Sequence, residues 1–364
     1  MEITRPTVME VNVDNFLYNI ERIKEKCPNS KIMPVIKANA YGTHINERVD
    51  VLNHFDIVAV ARVSEAIHLR SIGYKKEILI LNQPYIKEID DIIKYDLIVG
   101  LSNYEFLCEL SKRKESVKVH LEIETGMNRT GIKLDDLNLF IDKIKMSKNI
   151  IVEGVYTHLS SADIDYEYTL RQLEIFRKSV DIMNSSFTTI KYIHSSASNG
   201  LLNFDDKVSN AVRPGIILYG YESFKGVNKM IDILPVCSLK TRIIFIKEIN
   251  KNESVGYSRK YKSHKRMRVA TIPIGYADGL MRSFSKKGYV IVNNQKAKIL
   301  GNICMDSLMI DITNIDARLN DEVYIWDNKN QTLDDVADIC KTINYEIISN
   351  ISDRVKRVFE CKED

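Results

Sequence analysis

The chain has 364 residues, 45% of them apolar, and a formal net charge of +3. That length exceeds the roughly 250 residues of a single barrel domain by enough for a second module, and so balanced a charge sets up no field that would gather nucleic acid or an anionic membrane. Six cysteines at 27, 108, 237, 304, 340 and 361 have neither CxxC nor metal-ligand spacing, so no metal site and no disulfide framework is expected and a reducing cytoplasm fits. Glu2, Arg5, Glu10 and Asp14 break up the first apolar pattern, which excludes a signal-peptide core, and no uncharged apolar run approaches a membrane span. The basic run RKYKSHKRMR (259–268) lacks the interleaved aromatics of a base-stacking surface and reads as a solvated loop.

In chain order, KIMPVIKA, FDIVAVAR, EILILNQ, IVGLS, VKVHLEIE, NIIVEGVYTH, IKYIHSS and AVRPGIILYG read as strands, with helical patterns such as VSEAIHLRSIGY and LRQLEIFRKSVDIM between them. Repeated strand-helix units argue a parallel sheet, and eight of them without any GxGxxG argue a closed (β/α)8 barrel of the TIM type. After residue 235 the texture changes: SLKTRIIFIKEI, RVATIPIGY, YVIVNNQKAKILG, SLMIDIT and DEVYIWD are strands separated by turns, with no long helix before QTLDDVADICKTI. The fold class is therefore α/β, with a barrel over 1–235 and a mostly-β domain over 236–364, the first residues being able to join the β domain.

Strand parity sets Val117, Val119, Leu121 and Ile123 on one face and Lys118, His120, Glu122 and Glu124 on the other, which would look into the barrel. By the same count Met33, Val35 and Lys37 share a face, so Lys37 can point inward at the carboxyl end of its strand, where barrel enzymes hold their chemistry. A lysine there is costly unless its charge is paired, for instance with Glu122 or Glu124, or its amine is converted into an imine with an aldehyde. Small Ala38 and Ala40 leave room for a flat ring, and the Tyr41 hydroxyl could reach an anionic tail.

KANAYG resembles the cofactor-lysine signature of the alanine racemases, the barrel-type branch of pyridoxal-phosphate enzymes. The resemblance continues in family order through RPTVMEVNVDNFLYNI, TGMNRTG, GVYTHLSSAD, HSSASNGLL, VRPGIILYG, VGYSRKY, IGYADGLMR, ICMD and INYE. It implies racemisation of a small amino acid, L-alanine to D-alanine for cell-wall peptidoglycan, with pyridoxal 5'-phosphate in a head-to-tail homodimer. Lys37 would bond the cofactor and serve as one catalytic base, and Tyr257, contributed by the partner subunit, would be the other; inversion through a planar carbanion needs one base on each face. Arg213 would bond the pyridine nitrogen and His158 would stack on the ring. Tyr41, Ser198, the Gly215 and Ile216 amides and Tyr345 would hold the phosphate. Arg129 would meet the cofactor's phenolic oxygen and the substrate, Met305 and Asp306 would lie at the substrate carboxylate, and Asp163, Tyr276 and Arg282 would line the way in.

The chain departs from the family pattern at several positions. Seven residues before Arg129, where many relatives carry a carbamylated lysine that orients this arginine, stands Glu122; its carboxylate could replace the carbamate or simply pair with a barrel lysine. Thr43, Ala197 and Asn302 also differ from common family choices, which bears on substrate range. HSSASNGLLN and SLKTRI resemble the serine-handling racemases of glycopeptide resistance, so serine is the alternative substrate, whereas the bulky Tyr345 favours alanine. A carrier protein of the barrel alone would lack VGYS and ICMD, and an amino-acid decarboxylase would carry an HxGS segment that is missing here.

Overall fold

The structure is a computed structural model that describes residues 5–222 and 231–361. Its described residues fall into two compact units, one of Leu17–Ala40 with Ile45–Ile233 and one of Met1–Phe16, Tyr41–His44 and Leu234–Asp364.

In the first unit, six parallel strands pair in sequence order: Ile57–Val60, Glu77–Ile80, Ile98–Leu101, Val117–Glu122, Ile150–Tyr156 and Tyr192–His194. Lys31–Ile32 pairs parallel with Ala211–Val212. Single bridges from Val35 to Ala59 and from Ala197 to Arg213 join that pair to both edges of the six. The ring of eight closes as a barrel, leaving no free edge. Every residue of Ile57–Val60 and Ile98–Leu101 is buried, the pattern of parallel strands covered on both faces. The helix Tyr166–Ser186 begins where the Asp165 carboxylate accepts the Tyr168 amide at 2.9 Å and buries a stripe of Thr169, Leu173, Phe176, Val180 and Met183.

The last barrel strand is shorter than AVRPGIILYG suggests. It stops at Val212 because Pro214 offers no N–H to a ladder, and Ile216–Tyr219 winds into a 3-10 turn instead. An irregularity between Val119 and His120 leaves Glu153 as an extra residue in the facing strand, so that His120 lies opposite Gly154.

The second unit is a nine-stranded sheet in the order Phe245–Ile249, Met267–Ile272, Leu308–Asp311, Gln295–Leu300, Tyr289–Val292, Glu322–Trp326, Cys237–Arg242, Val8–Asn12 and Lys356–Glu360. All pairings are antiparallel except that of Val8–Asn12 with Lys356–Glu360. Part of the run read as a basic loop is ordered as strand: Tyr261–Lys262 closes a small hairpin on Ser254–Val255 and Met267 opens a sheet strand. Buried Asp278 accepts two hydrogen bonds from Arg5 at 2.8 and 2.9 Å and one from the Gly275 amide at 2.9 Å, so its charge is fully paired.

Candidate active site

Lys37 follows the bridge between Val35 and Ala59, where the Ile36 amide donates to the Ala59 carbonyl at 2.9 Å. The four residues after it, Ala38, Asn39, Ala40 and Tyr41, are all left-handed, with φ of 52, 52, 51 and 56°. Each L-residue there costs roughly 1–2 kcal/mol, so the turn must be held. One tie is the Ala40 amide to the Ile36 carbonyl at 3.0 Å. Another is Glu65, whose Oε1 accepts the Ala38 amide at 2.8 Å while Oε2 accepts the Ala61 and Arg62 amides at 2.7 and 3.1 Å. The Lys37 amine is pushed below its ordinary value, first by burial and then by the Arg129 guanidinium, with Arg213 adding to the effect and Glu65 opposing it.

Arg213 is 2% exposed. Its Nη1 donates to Nδ1 and to the carbonyl of His194, at 2.6 and 2.7 Å. Nη2 donates to the carbonyls of Thr157 and Ser195, at 2.7 and 3.0 Å, with His158 Nδ1 at 3.5 Å. The four Nη hydrogens are thus engaged, and Nε–H carries no bond among the described residues. Burial pushes the guanidinium down to about 10, still charged at neutral pH.

A guanidinium only donates, so His194 must accept at Nδ1 and carry its proton on Nε2, from which it donates to His120 Nδ1 at 2.9 Å. The proton of His120 then sits on Nε2, which is buried without a partner. Burial, and next Arg213, push His120 down to about 3 and His194 well below its ordinary value, so both rings stay neutral. The Tyr156 ring stacks on His194 with centroids 5.0 Å apart, and its hydroxyl donates to the Leu81 carbonyl at 2.8 Å.

His158 is held down to about 3 by burial, then by Arg213, Arg129 and Lys37. The Ser198 hydroxyl accepts the Gly215 amide at 3.0 Å, and Ser198, Gly215 and Ile216 are all buried. Glu122 is 3% exposed, and its Oε2 is buried with no hydrogen-bond partner. No direct ion pair joins Glu122 to Arg129 among the described residues, because the glutamate side chain is short and Arg129 is exposed. Burial raises the Glu122 carboxyl against the opposing pull of Thr130, Arg129 and Arg213. Asp163 is exposed and accepts from Asn199 Nδ2 at 3.1 Å.

These barrel residues form one electrostatic neighbourhood. The remaining sequence candidates belong to the other unit. Tyr257 is 70% exposed in a turn with Gly256, Ser258 and Arg259 at φ of 75, 59 and 49°. Met305, Tyr276, Arg282 and Asp306 are exposed, and Asp306 accepts from Arg354 Nη2 at 2.6 Å. Tyr41 and Tyr345 pack as tilted rings 6.1 Å apart, and burial raises the Tyr41 hydroxyl, helped by Tyr345.

Sequence reasoning passed over Glu65 and His194 as site residues. Glu65 has the spacing of an ordinary helix-capping glutamate, three residues after the N-cap. His194 opens the motif HSSASNGLL, but only the side-by-side packing of the last two barrel strands, through the Ala197–Arg213 bridge, brings it to Arg213.

The family description "Alanine racemase, N-terminal domain" matches residues 11–223, and "Alanine racemase, C-terminal domain" matches 236–359. "Alanine racemase 1" of Clostridium acetobutylicum is 37% identical over 98% of this chain and 95% of its own length. An alanine racemase structure from Clostridium difficile superposes with a TM-score of 0.93 at 33% identity, covering 99% of this chain and 97% of that one. One from Bacillus anthracis with bound L-Ala-P has a TM-score of 0.93 at 29% identity, covering 100% and 97%. With both of its units matched and a relative this similar along nearly its whole length, the chain belongs to the alanine racemase family.

Proposed function

We propose that the chain interconverts L- and D-alanine with pyridoxal phosphate, for cell-wall precursors in the cytoplasm, as a head-to-tail homodimer. The observation that carries this is the half-buried Lys37 at the carboxyl end of a barrel strand, just past the Val35–Ala59 bridge and at the start of a left-handed turn; burial first, and then the Arg129 and Arg213 guanidinium groups, push its amine toward the neutral, nucleophilic form. The donor set fits the cofactor: Lys37 for the aldehyde, the uncommitted Nε–H of Arg213 for the ring nitrogen, and the Ser198 hydroxyl with the Gly215 and Ile216 amides for the phosphate, to which the resemblance adds Tyr41 and Tyr345. When bound, pyridoxal phosphate supplies a carbonyl for the substrate amine and a conjugated ring that takes up the electron pair left by the α-proton.

The chain's own residues do the rest. Lys37 takes or returns the proton on one face of the α-carbon, and Tyr257 of the partner subunit does so on the other. Arg213, fixed at four hydrogens, would hold the ring nitrogen with its Nε–H without giving up its proton, which would limit how much charge the ring can hold. His158 would meet the ring as a neutral imidazole. Glu122 acts on Arg129 through its nearby carboxyl charge rather than by a direct bond, which leaves the guanidinium for the cofactor's phenolic oxygen and the substrate. Met305 and Asp306 line the carboxylate site, and Asp163, Tyr276 and Arg282 the approach. The exposed Tyr257 and Met305 are apt for reaching a second copy.

Alanine is preferred over serine as substrate because the relatives are named alanine racemases and because the Tyr345 ring narrows the room for a hydroxymethyl group. The test follows loss of optical rotation and solvent deuterium uptake at the α-carbon for both amino acids. Lys37→Ala abolishes both signals, and Tyr257→Phe retains exchange without inversion. Full racemisation by both variants refutes the two-base assignment.

A further inference from the structure

We infer that Glu65 is a positioning residue for Lys37: one carboxylate oxygen clamps the first amide after the lysine while the other caps the neighbouring helix, so that helix Val63–Ser71 and the left-handed turn are locked together. This rests on the function proposed above and extends it to a residue that does not touch the cofactor.

The geometry separates the two jobs. Acceptance of the Ala61 and Arg62 amides by Oε2, at 2.7 and 3.1 Å, is what a glutamate in the first turn of a helix does on its own account. The bond from the Ala38 amide to Oε1, at 2.8 Å, crosses from that helix to the turn after the neighbouring strand and has no part in helix capping. It continues the pairing of the two strands one rung past the Val35–Ala59 bridge, where the backbone turns left-handed and no ladder partner is left. Ala38 adjoins Lys37, so this bond sets the direction in which the lysine side chain leaves the backbone. Among the described residues, Glu65 is the one carboxylate acting on the amine, and Arg129, Arg213 and neutral His158 make up the rest of its charged and titratable surroundings.

Reach and charge can be removed separately. Glu65→Asp keeps the charge and a helix cap but draws the carboxylate back by about 1.5 Å, too far for Ala38. Glu65→Gln keeps the length, loses the charge and turns a donor toward an amide. The full-length chain, freed of cofactor, is mixed with pyridoxal phosphate across a pH series, and its visible absorbance reports capture by Lys37. The wild type captures; Glu65→Asp captures between about ten and a hundred times more slowly with the same pH midpoint and a melting temperature lowered by only a few degrees, about what one lost hydrogen bond costs; Glu65→Gln moves the midpoint to lower pH. Capture by Glu65→Asp at the wild-type rate, or a midpoint unmoved in Glu65→Gln, overturns the inference while leaving the function intact. Absence of capture by the wild type overturns the cofactor reading and this inference with it.

Discussion

Gly154→Ala tests the buried histidine chain behind Arg213. A Cβ at this position would stand 2.6 Å from Cγ, 2.7 Å from Nδ1 and 2.8 Å from Cδ2 of His120. Comfortable carbon contacts lie near 3.5–4.0 Å, so the overlap is about 1 Å, and the three nearest atoms all belong to one ring. That ring is wholly buried and tied at 2.9 Å to His194. If it stays, overpacking costs about 1–3 kcal/mol; if it yields, the lost bond leaves two buried nitrogens unpaired at about 1–3 kcal/mol each. Glycine to alanine at an unstrained, open position goes the other way by about 0.4–1 kcal/mol, so the sign alone is diagnostic. The melting temperature should fall on the order of 10 °C, and adding His120→Ala should make the two losses strongly non-additive, because the methyl then has space. A neutral or stabilising Gly154→Ala, or strict additivity, would refute the reading that His120 is pinned to His194.

Acid should destabilise the fold steeply. His120 and His158 lie at about 3 and His194 well below its ordinary value, while the unfolded chain binds these protons near 6.5; the stability they confer is full above about 6.5 and drains as pH falls from there toward the folded values, at up to about 1.4 kcal/mol per pH unit for each ring. Urea midpoints that stay flat through that window would contradict it. For Glu122 the sign is reversed: its raised carboxyl favours the folded state at low pH and stops doing so as pH rises through the raised value. Glu122→Gln should therefore melt no lower than wild type at alkaline pH, with any gain shrinking on acidification, while raising KM for alanine. Unchanged kinetics and cofactor spectrum would remove Glu122 from the site.

The barrel was legible because each of its strands is adjacent in sequence to the next and buried enough to read as an apolar run. The order of the nine-stranded sheet was not, since neighbours such as Glu322–Trp326 and Cys237–Arg242 are set by contacts no local pattern encodes. Within the site, Lys37 stood out through parity and its small neighbours. The left-handed turn did not: Ala, Asn, Ala and Tyr carry no glycine to mark it, and what makes it tolerable is Glu65, a residue 27 positions from Ala38. The histidine chain depended on a register slip at Glu153, which alternation alone cannot foresee.

The strand Val8–Asn12 lies between Cys237–Arg242 and Lys356–Glu360, so neither flank is available until hundreds of further residues have left the ribosome. At about 5–20 residues per second, the wait for the second flank is on the order of tens of seconds. During translation this early segment is thus an unpaired ribbon, its Glu10 and Asn12 among the few features that discourage it from annealing to a neighbouring nascent chain.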